Sequence, residues 1–168
     1  MKTMIKRCKY LILYFCLSGI CQAQQTVSAP PERATDFTYT LATDRQGTLY
    51  AIHSEWILLY FYDPTCEDCH ALMERLNASE VINRLIEEKR LQVLAVYPEE
   101  DTEAWLEQAK HVPPAWVNGY DKGAVINTKG LYLIKTLPAL YLLDRDKNIR
   151  LKEATAEEVE NELKPICN

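Results

Sequence analysis

The period of the apolar positions changes several times along the chain, and each change marks an element. Residues 56–62, WILLYFY, are a near-continuous apolar run of strand formers, the pattern of a strand buried on both faces beside parallel neighbours. Pro64 breaks that strand, and from Cys66 onward Cys69, Leu72, Met73 and Leu76 fall three and four apart, which predicts a helix. Asn77 to Ser79 predicts a break, with Ser79 capping a second helix in which Ile82, Leu85 and Ile86 share a face. LQVLAVY (91–97) predicts the next buried strand, and Asp101 or Thr102 caps a short helix carrying Trp105, Leu106 and Ala109.

The flanks of this central stretch have turn-bounded patterns. FTYTLAT and TLYAIH surround DRQG and predict a hairpin over 37–53. Residues 111–130, with Pro113, Pro114, Asn118-Gly119, Gly123 and Gly130, read as an irregular connection holding one helical turn near 122–127. PALYLLD (138–144) and IRLKEA (149–154) bracket RDKN as a second hairpin. Thr155 and Glu158 form a capping box that opens a last helix over 156–164, which Pro165 ends. The order hairpin, β-α-β-α, hairpin, α predicts an α/β fold: a central mixed sheet with helices on both faces and an N-terminal β-hairpin extension.

The beginning of the chain follows different rules. Lys2, Lys6, Arg7 and Lys9 precede the 11-residue apolar run YLILYFCLSGI, and CQAQQ then places small residues at Cys21 and Ala23. This is the layout of a secretory signal peptide over 1–23, cleaved near Ala23, and the run is short of the ~20 apolar residues a spanning helix needs. Cys21 offers a second version, a lipid-bearing cysteine, against which stands Ile20 where a small residue is expected. A polar lead-in, 24–36, then joins the leader to a domain over 37–168. With 168 residues the chain has enough for one compact core.

Removing the leader changes the charge and the cysteine count. Four of 19 basic residues leave and no acid does, so 15 remain against 24, a net charge of −9. Such an acidic domain is a poor ligand for nucleic acid or anionic membrane surfaces. Of six cysteines only Cys66, Cys69 and Cys167 stay, an odd number that closes no disulfide framework. Cys167 reads as a free tail thiol. The pair in DPTCEDCH could still staple a loop, hold half a zinc site or exchange disulfides. Zinc would need His53, His70 or His111 as further ligands, and no second closely spaced ligand pair exists in the sequence. No metal and no cofactor are expected.

Position 66 opens a helix, where unpaired N–H groups and about half a positive charge favour a thiolate. Cys69, one turn further in, lies deeper. Glu67 and Asp68 act against the thiolate, although acids in a first turn also suit the helix dipole. His70 reads either as a partner of Cys66 or as a surface histidine. Tyr60, Phe61 and Tyr62 read as core and rim, and Trp105 and Trp116 as packing residues.

The strand ILLYFYDPTC leading into C-x-x-C, followed some 70 residues later by LYLIKTLPALYLLD, resembles a thioredoxin-fold protein. With the leader, the chain is most similar to the secreted thioredoxin-like reductases of the bacterial envelope, the TlpA/ResA-like branch. That resemblance implies a thiol–disulfide oxidoreductase, with Cys66 as nucleophile, Cys69 as resolving thiol, a Cys66–Cys69 disulfide in the oxidised state and a cis-proline at Pro138. It implies that Leu137 and Thr136 meet an incoming extended peptide through their backbone; Glu67, Asp68 and His70, by their charge and position beside Cys66, are the residues expected to modulate the pair. Disulfide-containing exported proteins and a membrane electron donor are the implied partners, in the periplasm or cell envelope. The different-class alternative is an accessory module with a structural disulfide. Three departures from the family pattern stand out: Thr65 replaces its usual Trp, Glu67-Asp68 its Gly-Pro, and Tyr60 its buried carboxylate.

Overall fold

The computed structural model describes residues 31–167. The leader, its cleavage site, Cys21 and the lead-in as far as residue 30 lie outside the described residues. In chain order the elements are β1 (Thr38–Thr40), β2 (Gln46–Thr48), β3 (Trp56–Phe61), α1 (Glu67–Asn77), α2 (Glu80–Glu87), β4 (Leu91–Tyr97), α3 (Thr102–Ala109), β5 (Val117–Tyr120), α4 (Val125–Thr128), β6 (Ala139–Asp144), β7 (Ile149–Lys152) and α5 (Ala156–Leu163). The strands form one mixed sheet in the order β2-β1-β5-β4-β3-β6-β7. β3 is central, parallel to β4 with Leu58 opposite Val93, and antiparallel to β6 with Leu58 opposite Leu142.

Its apolar run is explained by that position. Residues 57 to 61 are fully buried because both faces of the sheet are covered. Leu58, Tyr60 and Tyr62 pack with the inner faces of α1, α2, α3 and α5. Ile57, Leu59 and Phe61 pack on the other face with Phe37, Leu49, Ile126 and Tyr132.

The helices are therefore distributed unequally. Helices lie on both faces, as expected, but all four longer ones share one face and only α4 lies on the other. β3-α1-α2-β4 and β4-α3-β5 step across the sheet in the same direction, so two right-handed crossovers fall on the same side. The opposite side is closed by α4, the 3₁₀ turn Leu49–Ala51, the N-terminal segment and the approach to β6. Among the described residues no helix is long and apolar enough to cross a membrane.

Three further local readings change. TLYAIH is not a strand beyond Thr48: the Thr48 hydroxyl accepts from Ala51 N–H and turns the chain into the 3₁₀ helix, while Asp36 accepts from Tyr50 N–H. Residues 117–120, expected to be irregular, form β5 between β4 and β1. Residues 32–36, which the sequence assigns to a polar lead-in, are tied to the domain at Ala34, which is buried, donates its N–H to the Lys147 carbonyl and accepts at its own carbonyl from the Tyr50 hydroxyl.

Candidate functional site

The cysteine pair sits where β3 hands over to α1, and the handover is built from local chemistry. Pro64 cannot extend the strand, and the Asp63 carboxylate accepts from both Thr65 N–H and Thr65 Oγ1 at 2.7 Å, closing a turn. Cys66 is then the N-cap of α1, with extended backbone angles, and its Sγ accepts from Cys69 N–H at 3.2 Å. That contact uses a helix donor that would otherwise be unpaired. The half-buried Cys66 thus presents its sulfur at the positive end of an 11-residue helix.

Cys69 differs in every respect. It is fully buried, and its Sγ accepts from Asp63 N–H at 3.5 Å. Burial pushes the Cys69 thiol up to about 12, and its hydrogen-bond neighbour Cys66 adds to the rise. Both cysteines are free thiols in the structure. Behind Cys69, Tyr60 and Tyr62 stack at 5.3 Å, and Trp116 meets Tyr60 edge-on at 6.1 Å. The Tyr60 hydroxyl donates to the Cys69 carbonyl at 2.6 Å, and burial raises this phenol far above its ordinary value. Tyr60 therefore places behind Cys69 a group that tethers the first turn of α1 and takes no proton at neutral pH.

The Leu137–Pro138 peptide bond is cis and immediately precedes β6, whose first residue, Ala139, pairs with Phe61 at the end of β3. Thr136 is exposed and Leu137 half-buried, and neither forms a backbone–backbone hydrogen bond among the described residues. Glu67 and Asp68 are exposed on the first turn of α1. His70 does not bond to either sulfur: its Nε2 donates to the Pro64 carbonyl at 2.9 Å. Among the described residues no group of three or more His, Cys, Asp or Glu is arranged to hold a metal ion.

Two features were not read from the sequence. Asn118, in β5, accepts at one oxygen from the Tyr62 hydroxyl at 2.9 Å and from Trp105 Nε1 at 3.3 Å, satisfying both buried donors behind the pair. A groove of about 380 Å³ also runs along α1 past His70, Met73, Glu74 and Asn77, walled on its far side by Gln108 and His111. The spacing of the α1 residues, three and four apart, marks them as one helix face; the wall from residues 108–113 is a tertiary contact with no local signal.

No family model matches the sequence, and no curated protein matches it. Solved structures do. A thioredoxin-like protein from Bacteroides caccae superposes with a TM-score of 0.79 and 40% identity over 80% of this chain, which spans about half, 49%, of that protein's length. The C-terminal domain of an uncharacterized protein from Bacteroides fragilis gives 0.78 and 41% identity over 81% of this chain and 97% of that one. The thioredoxin domain of a thiol-disulfide oxidoreductase from Bacteroides vulgatus shares the fold at 0.71, with 17% identity over 84% of this chain and all of that domain. Identity of 40% across 80% of the chain, with the backbones superposing over that span, exceeds what a shared layout alone produces: the chain belongs to the thioredoxin-like superfamily.

Proposed function

We propose that the protein is a thiol–disulfide oxidoreductase, acting as a reductase or isomerase on disulfides of exported proteins. The observation that carries this reading is Cys66 Sγ, half-buried at the helix start and accepting from Cys69 N–H, with the second thiol one turn below it. In the reducing direction, the Cys66 thiolate attacks one sulfur of a substrate disulfide and expels the other as a thiolate. Cys69, losing its proton, then attacks Cys66 Sγ and releases the second substrate thiolate. The Cys66–Cys69 disulfide that forms holds the two-electron debt, and a donor dithiol must reduce it again. A membrane protein of the envelope is the donor in this reading, after a leader ending near Ala23 has directed export.

Supporting this use are the free backbone groups at Thr136 and Leu137, beside cis Pro138, where an extended substrate segment can pair. Glu67 and Asp68 favour electron donation. They place negative charge beside Cys66, and a dithiol whose reduced state gains no extra stabilisation is the reducing kind. The pair should have a potential nearer the about −270 mV of thioredoxin than the about −120 mV of the strongest oxidants.

The test is insulin reduction together with that potential. Cys66→Ser should abolish turnover, and Cys69→Ser should leave the attack intact and accumulate mixed disulfides, identifiable by mass spectrometry. A wild-type pair that stays oxidised under strong reductant and turns nothing over would instead mark an accessory module with a structural disulfide.

A further inference from the structure

The groove beside α1 has a composition that selects a ligand. Its residues His70, Met73, Glu74 and Asn77 repeat at helical spacing, and His70 follows Cys66 by one turn, its N–H donating to the Cys66 carbonyl at 3.1 Å. The groove therefore begins within a turn of the attacking sulfur and leads away from it. Its volume, about 380 Å³, lies in the range of sites that hold a side chain or small ligand.

The polar groups on its walls include three acceptors beside the amides of Asn77 and Gln108. His70 Nε2 faces a carbonyl oxygen and so carries the proton, which leaves Nδ1 as an acceptor in the neutral ring. His111 Nδ1 lies 2.8 Å from Gln108 Oε1, which likewise leaves its Nε2 as an acceptor. Glu74 is exposed and forms no salt bridge among the described residues, while its neighbour Arg75 is engaged with Glu160. Among the described residues no lysine or arginine lines the groove. Met73 is a buried, apolar wall residue against which an aliphatic stem can lie. An apolar wall, one unpaired carboxylate and ring-nitrogen acceptors complement a long stem with a cationic head.

We propose that this groove is a specificity site that receives a lysine or arginine side chain of the substrate, a few residues from the cysteine under attack, with Glu74 as the counter-charge. The inference rests on the proposed oxidoreductase reading and specifies which disulfides it favours: those in basic segments. The exposed acids Glu67 and Asp68 extend the same negative field around Cys66.

The experiment uses the reduced protein and short peptides whose single cysteine is disulfide-linked to a chromogenic aromatic thiol, with lysine, norleucine or glutamate at each neighbouring position in turn. Attack by Cys66 on the peptide sulfur releases the coloured thiolate. At low salt, attraction and repulsion of an exposed charge are each worth about threefold to fivefold, so the best position should favour lysine over glutamate by about tenfold. Glu74→Gln should reduce that ratio to about threefold, and Asn77→Lys, a change of one charge in the same direction, should lower it to a similar extent. Equal rates for lysine and glutamate peptides in the wild type overturn the groove assignment. So does a ratio that survives Glu74→Gln, because the preference would then arise from Glu67 and Asp68. A reduced wild type that releases no thiolate from any peptide, or from the symmetrical aromatic disulfide, overturns the oxidoreductase reading itself.

Discussion

Alternate residues of β3 enter two different environments. Leu58, Tyr60 and Tyr62 face the helices, and Ile57, Leu59 and Phe61 face the loop-covered side. Both faces are closely packed and aromatic. On the loop side Phe61 meets Tyr132 at 5.2 Å, Tyr141 at 6.0 Å and Phe37 at 6.2 Å, and the hydroxyls of Tyr132 and Tyr141 bond outward to the carbonyls of Thr35 and Leu133. On the helix side the polar atoms turn toward the dithiol: Tyr60 holds the Cys69 carbonyl, and Asn118 satisfies Tyr62 and Trp105. The difference teaches that one strand can supply stability from one face and site geometry from the other. Substitutions can separate the two.

The largest effect is expected on the loop side. Phe61→Ala removes a ring that is fully buried among three other rings, and such truncations cost about 3–5 kcal/mol. Denaturant unfolding should show that loss in midpoint, while the reduction potential of the Cys66–Cys69 pair stays at the wild-type value. A shifted potential would mean that the two faces are coupled through the strand and do not act separately.

This division was only partly legible in the sequence. The seven apolar residues at 56–62 announce a doubly buried strand, and the Cys66 cap and the Thr155–Glu158 capping box are local signals that the structure contains as such. Which face of β3 receives helices depends on crossover handedness and strand order, which no window of sequence contains. β5 was hidden for a related reason. VNGY is short and carries Asn-Gly, yet it is held by pairing with β4 and β1, and Gly119 is required because a Cβ there would lie 2.8 Å from the Tyr39 ring. Of the candidate site, the cysteines and Pro138 were legible from motif and order. Asn118 and the His70–His111 groove arise only when distant segments pack.

The next effect is confined to alkaline solution. Cys69 has its folded value raised from 9.0 to about 12, chiefly by burial, so the folded state prefers the neutral thiol. The stability this contributes is fully present below pH 9 and is lost as pH rises from about 9 to about 12, because the unfolded chain releases the proton first. Reduced wild type should therefore lose stability more steeply over that window than Cys69→Ala. Tyr60 and Tyr62 titrate in both proteins, and the difference between the two slopes isolates the thiol. Parallel slopes would show that Cys69 ionises in the fold as readily as in the unfolded chain, and the helix side would lose its distinction as the face that controls the second thiol.

The smallest effect is the sharpest test of the comparison. Tyr60→Phe keeps the ring and its stacking and removes only the hydroxyl that donates to the Cys69 carbonyl. That carbonyl lies within α1 and keeps its helical partner one turn on, so no orphaned acceptor is created and the stability loss should be only about 0.5–1.5 kcal/mol. Tyr60 is a positioning residue in this view: by tethering the first turn of α1 it fixes where Cys69 stands relative to Cys66. Attack by Cys66 on a disulfide should then proceed at the wild-type rate, while resolution of the mixed disulfide by Cys69 slows by about fivefold, the equivalent of about 1 kcal/mol in a barrier. Stopped-flow measurement of the two steps distinguishes the cases. If both steps keep their rates while stability falls, Tyr60 acts as Phe61 does, by packing alone, and the helix face of β3 differs from the loop face in neighbours but not in kind.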